Sequence, residues 1–153
     1  MKEIPLNHGF VALVDDDDFE NVNQFKWFYC QGYAHRNHWI GNGRSKTVLM
    51  HRFIMNVDGA VDHRNRDPLD NRRENLRVAT KAENMRNRGA TVSSTSGFKG
   101  VTWDKYRQKY KAQIKVDYRN IFLGRFNDMK EAAKAYNDAA LHYFGGFAWL
   151  NPL

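Results

Sequence analysis

The sequence predicts an α+β protein in three parts. A small β-rich scaffold occupies residues 1–46 and a strand–loop–strand–helix module 47–88. After a linker at 89–97, a three-stranded antiparallel sheet packed on one helix fills 98–153. Short apolar runs alternate with turn residues through the first half. Near the end, a clean two-residue alternation gives way to three- and four-residue spacing, the mark of a strand followed by an amphipathic helix. Between them, Gly89 to Gly97 is small and polar, as linkers are.

In order, Phe10 to Val14 is a strand candidate that runs into Asp15 to Asp18, an acidic block suited to a solvated helix start ending near Gln24. Lys26 to Cys30 and Tyr33 to Arg36 flank Gln31-Gly32, a hairpin signal. Gly41-Asn42-Gly43 is a further turn. Thr47 to Asn56 holds enough apolar residues for a short buried helix. Asp58-Gly59 turns the chain, and Ala60 to His63 is a short strand. Pro68 keeps Asp67 out of helical geometry, so 66–70 is a loop. Asn75 to Ala79 alternates as a strand. Thr80 and Glu83 form a capping-box pattern that starts a helix bearing Asn84.

In the third part, Val101 to Trp103, Lys109 to Val116 and Asn120 to Gly124 read as strands. The middle one puts Lys109, Lys111, Gln113 and Lys115 on one face and Tyr110, Ala112, Ile114 and Val116 on the other. Asp128 to Glu131 caps a helix whose Ala132, Ala133, Tyr136, Ala139, Ala140 and Tyr143 share a face, and Gly145-Gly146 ends it.

The chain has 153 residues and a formal net charge of +7. Residues 1–50 carry −1, 51–94 carry +3 and 95–153 carry +5, so the positive charge lies in the last two thirds. Such a balance points to a polyanionic partner. The lone Cys30 rules out an internal disulfide framework and a cysteine-based structural zinc site. No segment approaches membrane-spanning length, so a soluble, cytoplasmic protein is expected.

Val61-Asp62-His63, Asn75 and Asn84 stand out chemically. A neutral histidine, with an ordinary pKa of about 6.5, can take a proton from water near neutral pH. A carboxylate and an amide are hard oxygen donors that suit magnesium. With Leu49-Met50-His51-Arg52, Leu69 to Arg77 and Glu83-Asn84, these residues resemble the HNH endonuclease family, in its phage and group I intron homing branch. The resemblance covers about residues 47–88 and implies a ββα-metal fold. It implies His63 as general base and Asp62 and Asn84 as ligands of a divalent cation, magnesium with manganese able to substitute. Asn75 would fix the orientation of His63 by bonding across the loop. His51 is expected to be a packed, supporting histidine. Arg64, Arg66, Arg72, Arg73 and Arg77 are expected to contact phosphates.

Gly97 to Val101, Tyr110 to Ile114, Phe122 to Phe126, Glu131 to Asn137 and Leu150-Asn151-Pro152 resemble the ethylene-response-factor (APETALA-type) DNA-binding domain. That family lays its sheet in the major groove. The resemblance implies DNA contacts from Lys99, Trp103, Lys105, Arg107, Lys109, Lys111 and Lys115. Thr102 departs from the arginine usual there.

Together these readings predict a metal-dependent, site-directed endonuclease of double-stranded DNA. As a monomer it would nick one strand, while a weak dimer could cut both, inside a phage or bacterial host. The alternatives are a DNA-binding regulator with a vestigial nuclease fold and an RNA- or intron-binding protein of the maturase kind.

Overall fold

The computed structural model describes residues 1–90 and 94–153. Thr91, Val92 and Ser93 of the expected linker lie outside the described residues. The chain divides into two compact units, Met1–Asn84 and Met85–Leu153.

The first unit opens with β1 (Lys2–Pro5) paired antiparallel to β2 (Val11–Val14). Helix α1 (Asp16–Asn23) follows from the acidic block. Strands β3 (Phe28–Cys30), β4 (Tyr33–Gly41) and β5 (Arg44–Leu49) form a meander with β4 in the centre. Cys30 faces Tyr33 across the Gln31-Gly32 turn. The helix expected from Thr47 begins only at Met50, as α2 (Met50–Met55). Thr47, Val48 and Leu49 instead pair with Asn37, Arg36 and His35 of β4. The branched Thr47 and Val48 suit the pleated strand, and apolar content alone does not separate strand from helix.

Strands β6 (Ala60–His63) and β7 (Leu76–Ala79) then form a two-stranded antiparallel ribbon. Helix α3 (Lys81–Arg86) follows. Its start is a reciprocal capping box: the Glu83 carboxylate accepts from the Thr80 N–H at 2.7 Å, and Thr80 Oγ1 accepts from the Glu83 N–H at 3.2 Å. One core joins Ile4, Val14, Val22 and Trp27 to Met50, Ile54, Val61 and Leu76. The β-rich start and the β6–β7 ribbon therefore bury their apolar faces together, which a ribbon of this size cannot do alone.

In the second unit, β8 (Val101–Asp104), β9 (Lys109–Val116) and β10 (Arg119–Phe126) form an antiparallel sheet with β9 in the centre. Helix α4 (Met129–Phe144) begins at Asp128, whose side chain accepts from the Lys130 and Glu131 N–H groups. Ala132, Ala133 and Ala140 are fully buried, so the helix lies close on the sheet. At Gly100, φ is +75°, and a Cβ there would fall 2.1 Å from the Tyr136 ring. Only glycine fits that contact. Asn137 and Asn151 exchange side-chain–backbone bonds of 2.9 and 2.7 Å, tying the C-terminal segment to α4. Among the described residues no helix is long and apolar enough to cross a membrane.

Candidate active site and nucleic-acid interface

The β6–β7 register sets Asp62 opposite Arg77 and His63 opposite Leu76. Arg77 donates to Asp62 Oδ2 through Nε at 2.8 Å and through Nη2 at 2.6 Å. Asp62 is 4% and Arg77 9% exposed, so this is a buried cross-strand ion pair.

His63 ends β6, also buried. Its Nε2 lies 3.4 Å from Asn71 Oδ1. His51 of α2 meets the His63 ring edge-on, with centroids 5.0 Å apart and planes at 88°. Tyr33, at the start of β4, touches both rings, 5.5 Å from His51 and 6.2 Å from His63. The expectation of an ordinary pKa for His63 is corrected: burial pushes it down, against the opposing pull of the Asn71 bond and the Asp62 carboxylate. His51 is pushed to about 3, by burial first and then by the charges of His63 and Arg52. Burial thus disfavours the protonated form of both rings.

The loop between β6 and β7 is knit by side chains. Asn75 Oδ1 accepts from the Asn65 N–H at 2.9 Å, and its Nδ2 donates to the Asp70 carbonyl at 2.7 Å. The Arg64 N–H donates to the Asn75 carbonyl at 2.9 Å. Asn75 thus spans the loop directly behind His63 and fixes the backbone that leaves it. Asn65 adds a bond to Asp70 Oδ2 at 2.8 Å. Asn84 is half-buried on α3. Among the described residues no group of three or more His, Cys, Asp or Glu side chains could hold a metal ion.

The arginines divide. Arg64 and Arg66 are exposed on the loop. Three others, expected on phosphates, are tied to carboxylates within the chain. Arg72 grips both oxygens of Asp70 at 2.8 Å and reaches Glu74 at 2.7 Å. Arg73 grips both oxygens of Asp18 at 2.7 Å and donates to the Ile54 carbonyl at 3.0 Å. Arg77 holds Asp62. The acidic block at α1 is accordingly not a wholly solvated helix start: Asp18 is buried, and Asp15 accepts the Arg73 N–H at 2.7 Å.

In the second unit, the face of the sheet away from α4 carries Lys109, Lys111, Gln113 and Lys115 from β9. Lys111 stands between Thr102 of β8 and Arg125 of β10. Lys105 and Arg107 lie exposed in the β8–β9 turn. Two of the expected contact residues have partners within the chain. The Lys99 ammonium donates to the Arg86 and Arg88 carbonyls at 2.7 and 2.5 Å, and burial lowers its pKa to about 8. Trp103 pairs with Tyr110 on the face of Val101 and Ala112, the helix side, where it stacks edge-on at 4.7 Å.

Two residues of the open face carry no sequence signal for their placement. A β-bulge between Phe122 and Gly124 shifts the parity of β10, so Phe122 and Arg125 share a face. The Arg125 guanidinium lies 4.9 Å over the exposed Phe122 ring and pairs with Asp104 at 3.0 Å. Asn71 is equally silent in sequence, because its contact with His63 has no local signature.

Comparison with known proteins falls on this same ribbon. Residues 57–86 match the family model described as HNH endonuclease, which spans β6, the knit loop, β7 and α3. The chain is 28% identical over 154 residues to a protein named "Uncharacterized HNH endonuclease L560" of Acanthamoeba polyphaga mimivirus, covering 95% of this chain and 76% of that one. The protein is a nuclease. It is also 35% identical over 57 residues to "Protein 3.8" of Escherichia phage T7, covering 37% of this chain and 47% of that one.

Proposed function

We propose that the protein is a metal-dependent, site-directed DNA endonuclease of the homing type. It nicks one strand of duplex DNA as a monomer or weak dimer. The observation that carries this is a buried His63 beside Asp62 on β6, inside the segment that matches HNH endonuclease.

His63 acts as the general base. A neutral imidazole can take the proton of an attacking water near pH 7. Asn75 closes the loop behind it and holds its backbone in place. Arg64 and Arg66, exposed beside the site, contact phosphates. Asp62 and Asn84 would hold a divalent cation, magnesium first, with manganese as a substitute. The donor chemistry fits, since a carboxylate and an amide oxygen are hard ligands. The two bonds from Arg77 also fix how the Asp62 carboxylate is presented. When bound, the cation supplies charge stabilisation at the phosphoryl and leaving oxygens. The open sheet face of residues 98–153, like that of the ethylene-response-factor domains it resembles, positions the enzyme on duplex DNA through Lys105, Arg107, Lys109, Lys111 and Lys115.

A supercoiled-plasmid assay with magnesium, manganese or EDTA tests this. Open circle should form with metal and not with EDTA. His63→Ala should cut at least ~100-fold more slowly while still binding DNA. A His63→Ala protein that cuts normally overturns the mechanism, and linear product would replace nicking with paired cuts.

A further inference from the structure

We infer that Asn71 is a positioning residue that selects the tautomer of His63, keeping the proton on Nε2 and the lone pair on Nδ1, so that Nδ1 is the basic atom. This rests on the reading of His63 as general base.

Asn71 is firmly held and 0% exposed. Its backbone N–H donates to the Leu13 carbonyl at 2.8 Å, and the Leu13 N–H donates to the Leu69 carbonyl at 2.8 Å. These bonds bracket Asn71 against β2, which is itself paired with β1. Its side chain has little freedom to move without breaking that junction.

The amide orientation follows from its other partner. Asn71 Nδ2 donates to the Leu69 carbonyl at 3.1 Å. A flipped amide would set Oδ1 against that carbonyl, acceptor on acceptor. It would also deprive the buried NH2 of the partner it has here. Oδ1 therefore faces His63. An amide oxygen only accepts, so the 3.4 Å contact with Nε2 is favourable only when Nε2 carries the proton. In a neutral imidazole the other nitrogen then has the lone pair.

The ring cannot easily turn over to exchange the two nitrogens. His51 stands edge-on against one side at 5.0 Å, and Tyr33 packs at 6.2 Å. Asn71 and these two rings together fix the tautomer and the plane of the base. The energetic demand on Asn71 is modest, because it need only favour one of two nearly equal tautomers.

The test is long-range 1H–15N correlation on the full-length, metal-free protein, with the His63 peaks assigned by their absence from His63→Ala. The expected pattern is a protonated Nε2 and an unprotonated Nδ1. Asn71→Leu, which removes the acceptor, should give a mixture of tautomers. It should also lower kcat about 10- to 100-fold with little change in KM. A wild-type protein protonated on Nδ1 overturns the inference, and this outcome does not depend on any variant folding. So does an Asn71→Leu protein whose His63 keeps the Nε2–H tautomer. If His63→Ala still cleaves DNA, the general-base reading fails while the tautomer assignment stands or falls on the spectra alone.

Discussion

In residues 1–84 three of the arginines that follow the candidate base end on carboxylates: Arg72 on Asp70, Arg73 on Asp18 and Arg77 on Asp62. In residues 85–153 the lysines of β9 stand on an open sheet face, and Lys109 and Lys115 are exposed. Both regions are rich in basic side chains, yet the charge does different work. In the first, fork-shaped guanidiniums clamp a loop and a strand pair into one geometry, which a bidentate donor can do and an ammonium cannot. In the second, ammonium groups on flexible stems offer charge without fixing anything. Basic residue type alone would have assigned both sets to a polyanion.

Removing Arg77 should break this contrast most severely. Arg77→Ala strips the buried Asp62 of its guanidinium and should cost about 3 kcal/mol in the first unit. Urea denaturation followed by hydrogen exchange at the β6–β7 amides measures it. An unchanged midpoint would mean that the pair contributes nothing. The opposite outcome is expected in the second unit. Lys109→Ala with Lys111→Ala should keep folding within about 0.5 kcal/mol of wild type. The double variant should bind duplex more weakly, with a salt slope shallower by roughly 0.9 per phosphate it no longer neutralises. Anisotropy titrations at several salt concentrations read that slope, and an unchanged slope would remove these lysines from the interface.

The smallest effect is a pH dependence at Asp70. The hydrogen bonds from Arg72, opposed by burial, hold its carboxyl below the ordinary value of 3.8. Its folded pKa is thus below its unfolded one. The stabilisation is fully present above the unfolded value and is lost as pH falls from there through the folded value. Asp70→Asn should make stability less dependent on pH below about 4. Urea midpoints measured from about pH 5 down to about pH 2.5 would show it, and parallel curves for the two proteins would sink the idea.

Much of the candidate site is legible in the sequence because its parts are local. The Asp62-His63 step, the turn forced before Pro68 and the Thr80–Glu83 box are set by neighbours in sequence, and each lies where its local chemistry puts it. The helix boundary at Met50 is not legible, since Thr47 to Leu49 take their form from pairing with β4. The internal partners of Lys99 are not legible for a similar reason: the carbonyls of Arg86 and Arg88 that accept from it lie beyond any periodic pattern.

The sequence by itself determined the α+β class, most of the strands and helices though not β1 or β5, and the basic face of β9. These follow from backbone periodicity and turn chemistry, which act over a few residues. Only the tertiary structure decided which charges face solvent and which face each other. Arg73 meets Asp18 across 55 positions of chain. Arg125 reaches the open face because a bulge reverses the parity of its strand. Asn71 reaches His63 because its loop is pinned to β2. Each depends on long-range packing, which brings together groups that local patterns treat as independent.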